Sequence, residues 1–337
     1  MSLDIKTSVI KPKRQTYLNL AERFGEDRPA SRYEEATYDM QPSANFHYRP
    51  TWDPAHLLYD PARTAIKMAD WYAFKDPRQL YYGTYTIARN KLMDACETNF
   101  AFVEKRGLVA TVEQAWSEKV ARYLLPLRHY EWGANMNNTN ITHVGYGTAI
   151  TQACIFAAMD RLGIAQILSR IGLLLDGNTG TVLGKTRETW VEDPMWQDLR
   201  RAVEDSFVLD DWFEQLVAQN LALDGFVFPL VYDHCDRAGL AHGGTALSML
   251  TEFMIDWYAD HCRWVDQLVK VTAAESPENA ARLGRWAGQW MARAEHAVAP
   301  LAEYVLADEA AAALRAVREG LYTRLKKAGL AMAENAS

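Results

Sequence analysis

The chain has 337 residues, of which 49% are hydrophobic and 23% charged, and its 36 Lys and Arg against 43 Asp and Glu give a formal net charge of −7. This is the composition of a soluble globular protein, long enough for one large core or two smaller ones. The mild acidic excess excludes nucleic acid and anionic membrane as main partners, because both demand clustered positive charge.

The apolar run Ile171 to Leu175, like every other in the sequence, falls far short of the ~20 residues that cross a bilayer. The opening MSLDIKTSVIKPKRQ has no apolar core of a signal peptide, so the expected location is the cytoplasm. Cys96, Cys154, Cys235 and Cys262 form no C-x-x-C pair and read as buried thiols. Eleven Trp, sixteen Tyr and eleven Phe exceed the needs of a modest core and suit large buried contacts with other chains.

Prolines 12, 29, 42, 50 and 54 and the lack of sustained helical period predict an extended arm over 1–59, followed by a single helical domain over 60–337. Phe46, Tyr48 and Trp52 in NFHYRPTWDP are poor residues for a solvated tail and fit an arm lying on a partner. Asp60-Pro61 reads as a helix start. After Gly83 a helix is expected to about Gly107, striped by Tyr85, Ala88, Leu92, Cys96, Phe100 and Val103. Thr111-x-x-Gln114 offers a capping box for a third helix, with Trp116, Val120, Tyr123, Leu124 and Leu127 on its stripe, which Pro126 kinks or ends.

A fourth helix is expected from about Thr142 to Leu175; it is apolar on nearly every side and so is the central, most buried one. DGNTGTVLGKT reads as a turn, and Asp193-Pro194 caps a helix carrying Trp196, Leu199, Val203, Trp212, Phe213, Leu216 and Val217. Pro229 and AGLAHGG break the pattern. A long helix then places Leu247, Leu250, Met254, Trp257, His261, Val265 and Leu268 on one face and Glu252, Asp256 and Asp260 on the other. The last 60 residues read as two more helices. Period-two alternation is absent, so the fold class is all-α: a bundle whose central members are 84–107, 142–175, 205–228 and 245–270.

Candidate chemistry is sparse. Gly180-Thr181-Val182-Leu183-Gly184-Lys185-Thr186 ends like a phosphate-binding loop but has three residues between its glycines instead of four, and a helix where a strand should precede it. A carboxylate-bridged di-iron site needs Glu-x-x-His on two helices. The residues three before the eight histidines are Ala44, Asp53, Pro126, Asn140, Val231, Gly239, Tyr258 and Arg293, none of them Glu. His261 therefore reads as a core histidine, and Glu97, Glu104 and Glu214 as solvated or paired carboxylates. His129 with Tyr130 and Glu131 lacks a nucleophile at a recognisable spacing. There is no G-x-S-x-G, H-E-x-x-H or G-x-G-x-x-G.

Four segments carry a family resemblance: NFHYRPTWDP at 45–54, Tyr81-Tyr82-Gly83-Thr84-Tyr85, NNTNITHVGYGT at 137–148 and DWYADHCRWVDQLV at 256–269. They resemble the β subunit of the hydroxylase of bacterial multicomponent monooxygenases, most of all the phenol hydroxylase branch, with toluene and alkene monooxygenases as near relatives. The resemblance implies a ferritin-like bundle that scaffolds a di-iron α subunit in a dimer of αβγ halves, itself without catalytic or metal-binding residues. It also implies a regulatory protein, and a reductase supplying electrons from NADH through FAD and a 2Fe-2S cluster, with phenol or a methylphenol hydroxylated by O2. Tyr258-x-x-His261 then reads as a degraded Glu-x-x-His, with Asp160 to Ile164 as its counterpart on the other helix. Phe46, Tyr48, Arg49, Trp52, Tyr81 and Tyr82 are the expected subunit-interface residues. Two other readings stay open: a stand-alone helical enzyme with a site around His129, Asp160 or His261, and a helical adaptor.

Overall fold

The computed structural model describes residues 17–41 and 49–330, and among them every regular element is helical. Phe46 and Tyr48 lie outside the described residues. The segment expected as an extended arm contains two short helices, α1 (Leu18–Phe24) and α2 (Arg32–Thr37). Ser31 and Glu34 cap α2 reciprocally, side chain to backbone in both directions.

From residue 49 to Tyr81 the described chain holds no α-helix. At Asp60-Pro61 the carboxylate does accept from the Ala62 N–H at 2.8 Å, but only a 3-10 turn, Pro61–Arg63, follows. Further along, side chains of the bundle take the backbone donors that a helix would have used: Ala65 N–H donates to Asp211 at 2.7 Å, Lys67 N–H to Asn279 at 3.1 Å and Ala69 N–H to Glu275 at 2.8 Å. The strap is thereby pinned across three helix ends.

Helix α3 (Tyr82–Arg106) stops at Gly107, whose left-handed φ of 62° forms the C-cap. No capping box starts α4 (Gln114–Tyr123): Thr111 donates to the Leu108 carbonyl instead, and Glu113 is the N-cap. Helix α4 ends at Tyr123, just ahead of Pro126, and Pro126 is in turn the N-cap of the next helix, where a proline loses no hydrogen bond. That helix, α5 (Leu127–Val144), runs through the asparagine-rich NNTNITH, and the expected start near Thr142 lies inside its last turn. Asparagine is a weak helix former; here its amides are held by tertiary hydrogen bonds described below.

Helix α6 (Thr148–Leu175) is the deeply buried member. Helix α7 (Thr181–Glu192) begins within the stretch expected as a turn, with Gly180 at φ 76° as its N-cap. Asp193 caps α8 (Pro194–Ser206) through the Met195 N–H. Trp212 belongs to the next helix, because Asp211 accepts from Phe213 and Glu214 N–H and starts a new one.

From there one helical run spans 212–240: α9 (Trp212–Leu216), a π segment (Val217–Leu223), α10 (Asp224–Pro229), a second π segment (Leu230–Cys235) and α11 (Asp236–Leu240). Pro229 does not break it. The bond its missing N–H cannot make is absorbed by the widened turn that follows. Helices α12 (Thr245–Glu275), α13 (Pro277–Leu306) and α14 (Ala310–Lys327) complete the chain.

Helices α5 and α6 form an antiparallel hairpin that faces 212–240 and α12, while α13 and α14 pack on the outside of 212–240 and α3 lies against α12. The turn before α12 depends on Gly243, which has φ 75° and would place a Cβ 2.3 Å from the Thr111 carbonyl oxygen. Gly243→Ala meets both left-handed strain and a backbone clash, and is expected to cost at least ~2 kcal/mol in urea unfolding.

Candidate functional site: the charged centre of the bundle

Each of the four central helices sends a polar side chain to the middle. Glu131 comes from α5, Arg161 from α6, Asp224 from α10 and His261 from α12, and all four are at most 1% exposed. The Arg161 guanidinium donates through Nη1 to Glu131 Oε2 at 3.1 Å and through Nη2 to Asp224 Oδ2. Its flat face stacks over Trp257 at 4.4 Å and Phe228 at 5.3 Å, a setting that suits a weakly hydrated cation.

Asp224 is the most fully engaged of the four. Its Oδ1 accepts from the Tyr130 hydroxyl at 2.6 Å and from Gln219 Nε2 at 3.1 Å, and its Oδ2 lies 3.4 Å from His261 Nε2. Burial opposes the charge on Asp224, but Arg161, His261 and Tyr130 outweigh it and hold the carboxyl below the ordinary range. Glu131 is different: burial dominates over its single bond to Arg161, the nearby Asp224 adds to it, and its pKa is pushed up to about 7. The centre thus approaches neutrality, with one guanidinium balanced by one carboxylate.

His261 is neutral here. Burial lowers its pKa to about 4, and Asp224 only partly offsets this. Trp264 Nε1 donates to His261 Nδ1 at 3.3 Å, which leaves the ring proton on Nε2, toward Asp224.

A second polar layer continues from this centre along α5. Asn137 donates to Ser206 at 2.8 Å and to Gln219 at 2.9 Å, Gln215 donates to Asn137 at 2.8 Å, and Asn220 donates to Asn138 at 3.1 Å. These amides tie α5 to α8, α9 and the first π segment.

Asp160 forms a third cluster on an adjoining face of α6. It accepts from Tyr85 at 2.9 Å, from Arg89 Nε and Nη2 at 2.8 Å each, and from Trp257 Nε1 at 2.8 Å. Tyr258 is engaged by α14, where Arg324 donates to its hydroxyl at 2.8 Å. Of the three positions singled out as degraded ligands, His261 therefore sits in the Arg161–Asp224 cluster, Asp160 joins α3 to α6 and α12, and Tyr258 joins α12 to α14.

The residues sequence reasoning missed are Arg161 and Asp224. One signal was present: a charged residue on an otherwise apolar stretch, as in MDRLG and LALDGF, has to be paired once buried. Glu97 and Glu104 both pair with Arg170 at the surface, and Glu214 accepts from Trp290 at 3.1 Å.

This donor set does not fit a metal. Two carboxylates are held by a guanidinium, the imidazole presents N–H instead of a lone pair, and Tyr258 occupies the position a ligand Glu would need. Among the described residues no three of His, Cys, Asp and Glu are placed to hold an ion.

A pH test isolates Glu131. A carboxyl with a raised folded pKa is protonated on folding between 4.5 and about 7, so its contribution to stability is lost as pH rises through that window, by about 3 kcal/mol. His261, lowered from 6.5 to about 4, acts in the opposite sense, stabilising as pH rises from about 4 to 6.5. Removing the Glu131 term with Glu131→Gln should make stability rise relative to wild type between pH 5 and 7.5 in urea unfolding. Parallel profiles would contradict the assignment.

The expected interface residues lie apart from this centre. Arg49 donates to the Pro54 carbonyl at 3.2 Å. Trp52, 59% exposed, leans on His143 of α5 at 5.7 Å, with Arg63 over its ring at 5.1 Å. Tyr82 is 74% exposed and Tyr81 is half-buried against the core. No helix among the described residues is long and apolar enough to cross a membrane.

Comparison with known proteins bears on all of this. Residues 52–276 match a family model described as Methane/Phenol/Alkene Hydroxylase. The chain is 51% identical over 330 residues to the phenol 2-monooxygenase oxygenase component DmpL of Pseudomonas sp. strain CF600, covering 98% of each. It is 27% identical to the β subunit of the toluene-4-monooxygenase hydroxylase component of Ectopseudomonas mendocina, covering 85% of this chain and 89% of that one. A crystal structure of xenon-pressurized phenol hydroxylase from Pseudomonas sp. OX1 superposes with a TM-score of 0.91 at 46% identity, covering 98% of this chain and 99% of that chain.

Proposed function

This chain belongs to the methane/phenol/alkene hydroxylase family, and we infer that it is the non-catalytic structural subunit of an aromatic monooxygenase hydroxylase acting on phenol or a methylphenol. The observation that carries this reading is the bundle centre. Where a metal-binding bundle of this plan holds its donors open, this chain spends Glu131 and Asp224 on Arg161. The chemistry then belongs to a partner α subunit with a di-iron centre, in a dimer of αβγ halves. A reductase carrying FAD and a 2Fe-2S cluster passes electrons from NADH, a regulatory protein completes the system, and all of it works in the cytoplasm.

The scaffold needs a surface, and two features support one. The arm presents Trp52, with Phe46, Tyr48 and Arg49 just before it in sequence, and Tyr82 at the start of α3 is exposed as well. The outer face of the α5–α6 hairpin presents Trp132, Met136, Met159 and Leu162, each at least 40% exposed. Asn135 donates to the Ala158 carbonyl at 2.8 Å, which sets these four side chains along adjoining turns. No charged residue is exposed on α5 from Trp132 to Thr142 or on α6 before Arg170. An uncharged strip with aromatic and Met side chains has the composition of an interface core, not of a solvated surface. In this reading, residues 1–59 and this strip cover α-subunit surface while 60–337 supplies the rigid body.

Replacing Trp52 and Tyr48 together with alanine is expected to weaken assembly, and turnover with it, while the iron chemistry of correctly assembled complex is unchanged. Size-exclusion chromatography with activity per assembled complex reads both. Normal assembly with altered oxygen activation would count against the scaffold role.

A further inference from the structure

We propose that Arg128, His129 and Arg187 form a binding site for a single oxyanion, at the start of α5 where the His129 ring meets α7. The site lies apart from the charged centre of the bundle and is independent of the scaffold reading.

The first turn of α5 carries Arg128 and His129, holds no acidic residue and has no side-chain cap. A helix start is its positive end, so a guanidinium and an imidazole stand where a carboxylate would be favourable. A third basic group comes from α7. Trp190 lies against the His129 ring, with centroids 6.1 Å apart and planes 29° from parallel. Arg187 precedes Trp190 by three residues, which puts both on one face of α7. Burial first, then the charges of Arg128 and Arg187, lower the His129 pKa to about 4, and no carboxylate is among the groups that act on the ring.

The donors of this cluster are unspent. Arg128 Nη1 and His129 Nε2 are both buried and make no hydrogen bond, a condition that buried polar atoms rarely keep. Among the described residues neither Arg128 nor Arg187 is paired with a carboxylate. Deeply placed guanidiniums elsewhere, Arg63, Arg78, Arg89 and Arg161, each have one. Arg128 and His129 are half-buried and Arg187 is exposed, so the cluster opens to solvent and an incoming anion need not enter the core. Two planar guanidinium forks suit the paired oxygens of a sulfate, phosphate or carboxylate group, and the imidazole adds an N–H when its proton is on Nε2. A halide has no paired oxygens for a fork to grip, which makes chloride the natural control.

The test follows the His129 ring by NMR in the full chain, its resonance identified by its loss in His129→Gln, as sulfate replaces chloride at constant pH and ionic strength. The expected result is a saturable shift of that resonance, with affinity weakened about tenfold or more by Arg128→Gln and by Arg187→Gln. The Arg187 side chain is exposed, so its replacement tests binding without disturbing the fold, which circular dichroism checks. No shift, a shift that never saturates, or a saturable shift untouched by either substitution would each overturn the proposal. Repeating the titration on the chain co-purified with its partners identifies the source of the oxyanion. Sulfate bound there as well points to a free anion, and sulfate excluded there but bound by the chain alone points to a partner's carboxylate already in place; either result keeps the oxyanion chemistry.

Discussion

Asp160→Ala is expected to destabilise the chain by about 3–5 kcal/mol, more than any comparable change of a surface carboxylate. The carboxylate is 5% exposed and receives four hydrogen bonds from three side chains on two other helices. Removing it leaves Arg89, itself mostly buried, with a longer 3.6 Å contact to Asp260 and the Tyr85 ring at 5.5 Å, and strands the Trp257 N–H in the core. The loss is therefore a poorly compensated buried charge plus an unmet donor, not the small net worth of four bonds. Tyr85→Phe removes one of those bonds and should cost about 1 kcal/mol. Asp160→Asn keeps acceptor capacity without charge and should fall between the two. Urea unfolding of the three variants measures this series; equal effects from Asp160→Ala and Tyr85→Phe would show that the Arg89 pair contributes little.

The second large effect is expected on assembly. Trp132→Glu with Met159→Glu places two charges on the uncharged outer strip of α5 and α6, where both side chains are already exposed in the isolated chain. Folding should be nearly indifferent, within about 0.5 kcal/mol. Burying those carboxylates in an interface carries a desolvation cost of several kcal/mol per ion, so association with the α subunit should fall by at least a hundredfold. Co-purification from the same host reads association, and circular dichroism of the variant reads the fold. Unimpaired association would move the interface elsewhere on the chain.

Helical class and the long apolar segments were legible because periodicity records burial directly: α3 and α12 follow their stripes closely, and α6, apolar on nearly every side, is deeply buried. Boundaries failed where a tertiary contact overrode a local signal. Asp60-Pro61 looks like a helix start, yet the N–H groups of Ala65, Lys67 and Ala69 find partners on the bundle. The next helix was expected near Thr142, yet α5 already runs through the asparagines before it, whose amides Gln215, Gln219, Ser206 and Asn220 satisfy. Pro229 looks like a break, yet a π turn carries the helix through it.

The centre was only half legible. His261 announced itself through the i, i+3 spacing from Tyr258 and the apolar stripe around it. Arg161 did not: it stands beside Asp160, but successive helical positions point about 100° apart, and the two serve different clusters. Asp224 lies in a run whose π geometry shifts every later side chain off the 3.6-residue period, so no helical-wheel argument could aim it at Arg161.

Native mass spectrometry with metal analysis on the tagged chain, purified from its own host, is the direct test of the proposed scaffold role. The expected result is a complex of two α, two β and two γ chains whose iron is lost when the α subunit is removed. A lone chain or homo-oligomer carrying stoichiometric metal would contradict it.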